Sequence, residues 1–149
     1  PPDEIARGVV DQMAARYERG VPLLPGAVEA VGRMAAAGPV GLASSSPRRL
    51  IDVVIASTGM DFAATVSTEE VERGKPAPDG YLAAASELGV DPALCLAVED
   101  SSNGLRSAAA AGMRVIAIPH GVYPPAPDAL ALAWRVLDDL DALTPDLLR

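Results

Sequence analysis

Four short apolar runs, each separated from the next by one helix-like segment, constrain this chain more than any other feature. They are Val40-Gly41-Leu42-Ala43, Ala64-Thr65-Val66, Leu94-Cys95-Leu96-Ala97-Val98 and Val115-Ile116-Ala117-Ile118. Near-continuous apolar strands must be covered on both faces, and single helices between them supply the cover while forcing parallel pairing. The expected class is α/β, a Rossmann-like parallel sheet with helices on both faces.

The intervening segments fit that expectation. Helices are expected from about Ala27 to Ala37 before Gly38, from Ser46-Pro47 through Leu50, Val53 and Val54 to Gly59, through Tyr81, Leu82, Ala85 and Leu88 to Gly89, and through Leu105, Ala108 and Ala109 to Gly112. Ser46 is expected to cap the second of these, with Pro47 at its first position. Alanine-rich faces and few aromatics suggest helices lying close to the sheet. Ahead of this pattern, Ile5, Val9, Met13 and Tyr17 recur every four residues in an amphipathic helix that stops at Gly20. The stretch Pro22-Leu23-Leu24-Pro25-Gly26 then reads as a linker, so residues 1–20 are expected as a helical appendage and 21–149 as the main domain. The tail carries a Pro-rich loop from Pro119 to Pro127, an expected edge strand at Trp134-Arg135-Val136-Leu137 and a short last helix from Thr144-Pro145.

Composition bounds the rest. A length of 149 residues, half of them hydrophobic, suits one sizeable core. The net charge of −8, without any run rich in Lys or Arg, argues against nucleic acid and anionic membrane surfaces as partners. No apolar stretch approaches a membrane span and no signal pattern is visible. The lone Cys95 is expected in strand packing, and a cytoplasmic protein is the expectation.

Three places after expected strands carry chemistry. In Leu96-Ala97-Val98-Glu99-Asp100-Ser101-Ser102-Asn103-Gly104 an apolar strand ends in two carboxylates. Adjacent carboxylates repel, so they sit together in solvent or around a hard cation such as Mg²⁺. Asp100 or Ser101 could instead cap the next helix, with Glu99 solvated. Ala43-Ser44-Ser45-Ser46-Pro47 puts three hydroxyls at a strand-to-helix turn, an anion cradle or simply a cap with a turn around it. In Gly74-Lys75-Pro76-Ala77-Pro78-Asp79 two prolines stiffen the frame of a lysine, which is otherwise a solvated loop residue. Together, hydroxyls, a fixed cation and a carboxylate pair at one edge of a parallel sheet are what Mg²⁺-dependent phosphoryl transfer needs. His120, alone in a Gly/Pro loop, is expected at the surface, and Trp134 in edge-strand packing. No phosphate loop or dinucleotide fingerprint occurs.

In these motifs the chain resembles the haloacid dehalogenase superfamily, and within it the β-phosphoglucomutases and small sugar-phosphate phosphatases. Leu42-Ala43-Ser44 matches the second motif, Lys75 in Lys75-Pro76-Ala77-Pro78-Asp79 the third, and Glu99-Asp100-Ser101 through Gly104 the fourth, in the same order and spacing. The resemblance implies a family-like α/β core in which Ser44 and Lys75 act on the phosphoryl group, Glu99 and Asp100 hold Mg²⁺, and Ser45, Ser46 and Arg48 bind substrate beside Ser44. The first helix would be the last helix of the family's cap. The first motif, an Asp-x-Asp-Gly stretch supplying nucleophile and general acid, has no match. Asp139-Leu140-Asp141 lacks the glycine and reads as a turn. The nucleophile is therefore expected upstream of Pro1, and the chain alone is expected to be inactive.

The resemblance implies a phosphomonoester hydrolase acting through an aspartyl phosphate on a small phosphorylated metabolite, monomeric when complete. A phosphosugar mutase is the close alternative, although Ser46-Pro47-Arg48 looks more like the hexose-phosphate phosphatases. A non-catalytic phosphate- or metal-binding fragment is the alternative from another class. A receiver-type phosphoacceptor domain is disfavoured because its acidic pair would come first in the chain.

Overall fold

The computed structural model describes residues 2–149, so Pro1 lies outside the described residues. Five strands run β1 (Gly41–Ser44), β2 (Ala64–Ser67), β3 (Leu96–Glu99), β4 (Arg114–Ala117) and β5 (Arg135–Val136). Six helices accompany them: α1 (Pro2–Glu18), α2 (Ala27–Ala35), α3 (Arg48–Thr58), α4 (Asp79–Leu88), α5 (Ser102–Ala110) and α6 (Pro127–Leu130). All pairing is parallel. β1 pairs with β2 in the register Ser44↔Ser67, while β3, β4 and β5 form a second group with Glu99↔Ala117 and Ala117↔Val136. Among the described residues no pairing joins β1 to β3.

The period of two along β3 and β4 sorts their side chains onto two covered faces. Ala97, Val115 and Ala117 pack with Leu105 and Ala108 of α5 and Ala129 of α6 on one face. Ile116 and Ile118 pack with Ala30 of α2 and Leu143 on the other. Arg33 of α2 pins that second face, donating to the carbonyls of Leu140 (2.8 Å) and Leu143 (2.9 Å). Alanines let the helices approach closely: Ala14, Ala30, Ala84, Ala85 and Ala108 are all buried. Mutual burial of the large aliphatics, worth about 1.5–3 kcal/mol each, holds this half together. No helix of the described residues is long and apolar enough to cross a membrane.

Several boundaries differ from expectation. Ser46 does not cap α3. Pro47 occupies the cap position without a side-chain bond, and a Glu69 carboxylate oxygen takes the Arg48 amide proton instead (2.8 Å). β3 begins at Leu96, after a 3₁₀ turn at Pro92–Leu94 that Asp91 caps. That turn leaves Leu94 exposed and puts Cys95 half-buried before the strand, its thiol 3.4 Å from the Asp91 carbonyl, rather than in strand packing. The edge strand shrinks to two residues, and the expected last helix is a 3₁₀ helix at Pro145–Leu148. Asp139 caps a 3₁₀ turn through two backbone N–H groups, as a turn residue should.

Candidate active site

Parallel strands deliver Ser44, Ser67 and Glu99 to their carboxyl ends, and the loop between β2 and α4 brings Lys75 between the two strand groups. Lys75 is the only lysine in the chain, against eleven arginines. Its ammonium forms an ion pair with Glu99 and lies 4.8 Å from the centre of the Tyr81 ring. Both charges are shielded, with side-chain exposures of 15% for Lys75 and 8% for Glu99. In such an environment a charge interaction is several times stronger than at a solvated surface. The loop that carries Lys75, which contains a cis Lys75-Pro76 bond, is tied down by the fully buried Ser107 of α5. The Ser107 hydroxyl donates to the Ala77 carbonyl (2.6 Å).

Ser44 and Ser45 line a narrow pocket of about 10 Å³ together with Ser67, Thr68 and Lys75. The Ser44 hydroxyl oxygen accepts the Ser46 amide proton (3.1 Å), leaving its own proton free to donate. Ser67 is fully buried and shapes the wall of the pocket. Its hydroxyl donates to the Ser46 carbonyl (2.8 Å) and accepts from the Glu69 amide (3.2 Å), half of a capping box completed by Glu70. Hydroxyls and an ammonium around one small opening offer donors to an anionic oxygen placed at its mouth.

Ser46 and Arg48 fall outside this pocket. Ser46 lies on the wall of a separate, mostly apolar cavity of about 280 Å³ bounded by Tyr17, Leu23, Leu42, Ile51 and Phe62, with Ser44 on the shared wall. Arg48 spends all five guanidinium donors elsewhere: Nε and Nη2 hold the Glu70 carboxylate, Nη1 reaches Asp52 and the Thr65 hydroxyl, and Nη2 also reaches the Thr65 carbonyl. The hydrogen bond that Arg48 donates to Glu70 raises the Arg48 pKa, and the same bond lowers that of Glu70. Arg48 here is a brace between α3 and β2, with its guanidinium turned away from the Ser44 pocket.

Glu99 and Asp100 do not converge. Successive residues at a strand end point to opposite sides, and here that sends Glu99 inward and Asp100 outward. Glu99 Oε1 accepts from Lys75 and from the Tyr81 hydroxyl (2.6 Å), and Oε2 lies 3.3 Å from the Asp100 amide. The carboxylate rests so tightly on α5 that a Cβ at Gly104 would overlap it, which accounts for a glycine at that place. Ser101, not Asp100, caps α5 by accepting from the Gly104 amide (3.1 Å). Asp100 is half exposed and pairs with His120 Nε2 at 2.7 Å. His120 is exposed, as its loop leads one to expect, but it is not without a partner.

The Mg²⁺ implied by the resemblance can be tested against these donors. Among the described residues no three Asp, Glu, His or Cys side chains group as a metal site. Asp100, an exposed hard oxygen donor at a strand tip, fits an ion that keeps several waters and needs only one or two carboxylates besides phosphate oxygens. Glu99, already committed to an ammonium and a phenol, fits the role of holding Lys75. Tyr81, Ser67, Thr68 and His120 were missed by the sequence reading. The hydroxyls at the end of β2 were the available signal, since parallel pairing places them beside Ser44.

Comparison with known proteins agrees with this geometry. The haloacid dehalogenase-like hydrolase family matches residues 3–112. Protein CbbY of Rhodobacter capsulatus is 43% identical over 124 residues, covering 79% of this chain and 54% of that protein. Hexitol phosphatase B of Escherichia coli K12 is 40% identical over 119 residues, covering 78% and 54%. The chain thus spans about half the length of these curated relatives. Among solved structures, CbbY from Rhodobacter sphaeroides in complex with phosphate superposes with a TM-score of 0.85 at 29% identity, covering 96% of this chain and 66% of that one. The β-phosphoglucomutase of Clostridium difficile follows at 0.69 and 26% identity, covering 85% and 54%. On the match over residues 3–112, the sequence motifs and the parallel α/β architecture, this chain belongs to the haloacid dehalogenase-like hydrolase family.

Proposed function

We propose that this chain is the phosphate-binding part of a Mg²⁺-dependent phosphomonoesterase acting on a small sugar phosphate or similar metabolite. The observation that carries the reading is the placement of the single lysine. Lys75 lines one narrow pocket with Ser44 and Ser45 while its ammonium is paired with Glu99. Such a cation, fixed before substrate arrives, neutralises a phosphoryl dianion without reorganising. Ser44 donates its free hydroxyl proton to a phosphoryl oxygen, and Ser45 lines the same wall. Asp100 would hold Mg²⁺, which when bound supplies further charge neutralisation at the phosphoryl oxygens.

None of these residues can both attack phosphorus and protonate a leaving alkoxide. The proposal therefore places the nucleophile, and with it the aspartyl phosphate, on a carboxylate-bearing strand upstream of Pro1. That strand would enter between β1 and β3, which are unpaired to each other, beside the 280 Å³ cavity that Ser44 and Leu42 line. In the same proposal α1 is the last helix of a cap, whose stripe of Ile5, Val9 and Met13 is exposed, and residues 21–149 are the core. The complete protein is proposed to be a cytoplasmic monomer whose partner is a phosphorylated metabolite, with neither nucleic acid nor membrane. The hydrolase reading is favoured over the mutase reading because the matching family is one of hydrolases and a hexitol phosphatase is 40% identical.

The test is p-nitrophenyl phosphate hydrolysis by the full-length gene product. Lys75→Ala should lower kcat/KM by about 10²–10³, the usual cost of removing one preorganised charge-stabilising donor. Unchanged, Mg²⁺-independent turnover would overturn the proposal.

A further inference from the structure

The Tyr81 side chain is partly buried against the core beside Glu99 and Lys75. Its hydroxyl donates to Glu99 Oε1, the same oxygen that takes Lys75, and its ring lies beneath the Lys75 ammonium. One side chain thus touches both members of the ion pair, once through a proton and once through a π face. These contacts oppose each other usefully. By occupying part of Oε1, the hydroxyl limits how completely Glu99 can draw the ammonium inward, while the ring gives that ammonium a floor at a set height. Gly104 closes the other side of the carboxylate, so Glu99 cannot retreat.

We propose that Tyr81 is a positioning residue that fixes Lys75 at the Ser44 pocket by sharing Glu99 Oε1 with it. The inference rests on the reading of Lys75 as the oxyanion-neutralising cation. It adds that the position of this cation is set from α4, by a residue that need not touch substrate. It also gives a role to the polar end of a side chain whose ring otherwise packs against the alanine-rich core.

In the ε-¹⁵N-lysine-labelled full-length gene product, the Lys75 ammonium is assigned as the resonance lost in Lys75→Arg. In the native protein this group should exchange slowly with water and shift when inorganic phosphate is titrated in. Tyr81→Phe keeps the ring but removes the competing donor, so Glu99 draws the ammonium inward and exchange should slow by about tenfold, the scale of one hydrogen bond to a charged group. The phosphate-induced shift should weaken in parallel. A second arm avoids any folding defect: 3-fluorotyrosine in place of tyrosine makes the phenol a stronger donor and should move the Lys75 resonance. If Tyr81→Phe folds with Lys75 exchange unchanged, or if fluorination leaves the resonance in place, the inference is wrong while the phosphate reading stands. If phosphate fails to shift Lys75 in the native protein, the underlying reading fails instead.

Discussion

The two strand groups of this molecule differ in a way that bears on what each does. In the β3–β4–β5 group, β4 lies between two neighbours with helices over both faces, and Val115, Ile116 and Ala117 are buried to 2% or less. In the β1–β2 group Ala64, Val66 and Ser67 of β2 are buried, but all four residues of β1 are only half-buried, and Leu42 lines a 280 Å³ cavity. The same alternation of strand and helix produced both. What separates β1 from β4 is the number of flanking elements, since β1 is paired on one edge only while β4 lies between two strands. The β1–β2 group carries the hydroxyls of the proposed phosphate pocket, and the β3–β4–β5 group carries Glu99. Lys75 joins them, so the site is held rigidly on one side and left accessible on the other.

The largest expected effect tests the dense side. Leu105 is fully buried against β3 and β4. Leu105→Ala should cost about 3 kcal/mol, within the range for large-to-small core changes, and lower Tm by roughly 10 °C. Leu42→Ala, whose lost atoms already face open space, should cost about 1 kcal/mol in the same melts. Equal losses would erase the contrast.

Arg48 sharpens the comparison within the weaker group. As a brace spanning α3, Thr65 and Glu70, its replacement by Met should cost about 1–2 kcal/mol of stability in chemical denaturation. Phosphate binding by the folded variant should stay as in the native chain. A variant of native stability that binds phosphate poorly would restore Arg48 to the substrate site.

The smallest effect is electrostatic and depends on pH. The Arg48 hydrogen bond lowers the Glu70 pKa below its ordinary 4.5. A carboxyl depressed in the folded state stabilises it above the unfolded pKa, and the contribution is lost as pH falls through the folded value. Glu70→Gln should therefore melt slightly below the native chain at neutral pH, and the gap should close as pH drops below about 4.5. A gap that widens in acid would contradict the assigned sign.

Much of this architecture is legible in the sequence, because apolar runs and helix stops are local signals. Ser44, Lys75, Glu99 and Asp100 announce themselves by residue type at strand ends. The divergence of Glu99 and Asp100 was also available, since period two sends adjacent strand-end residues apart. The His120 pairing with Asp100 follows only once the register Glu99↔Ala117 is known, because that register brings the loop after β4 alongside the end of β3. Arg48 was not legible at all. Its partners Thr65 and Glu70 lie 17 and 22 residues away, and nothing local distinguishes a bracing arginine from one awaiting a phosphate. Tyr81 hid for a similar reason, its hydrogen bond to Glu99 spanning 18 residues.

The central claim is that this chain supplies phosphate binding and charge neutralisation but no nucleophile. The most direct measurement compares Mg²⁺-dependent p-nitrophenyl phosphate turnover by the 149-residue chain with that of the full-length gene product. The account predicts turnover by the longer protein and none above buffer by the chain alone. Equal Mg²⁺-dependent rates would place the nucleophile within these residues and contradict it.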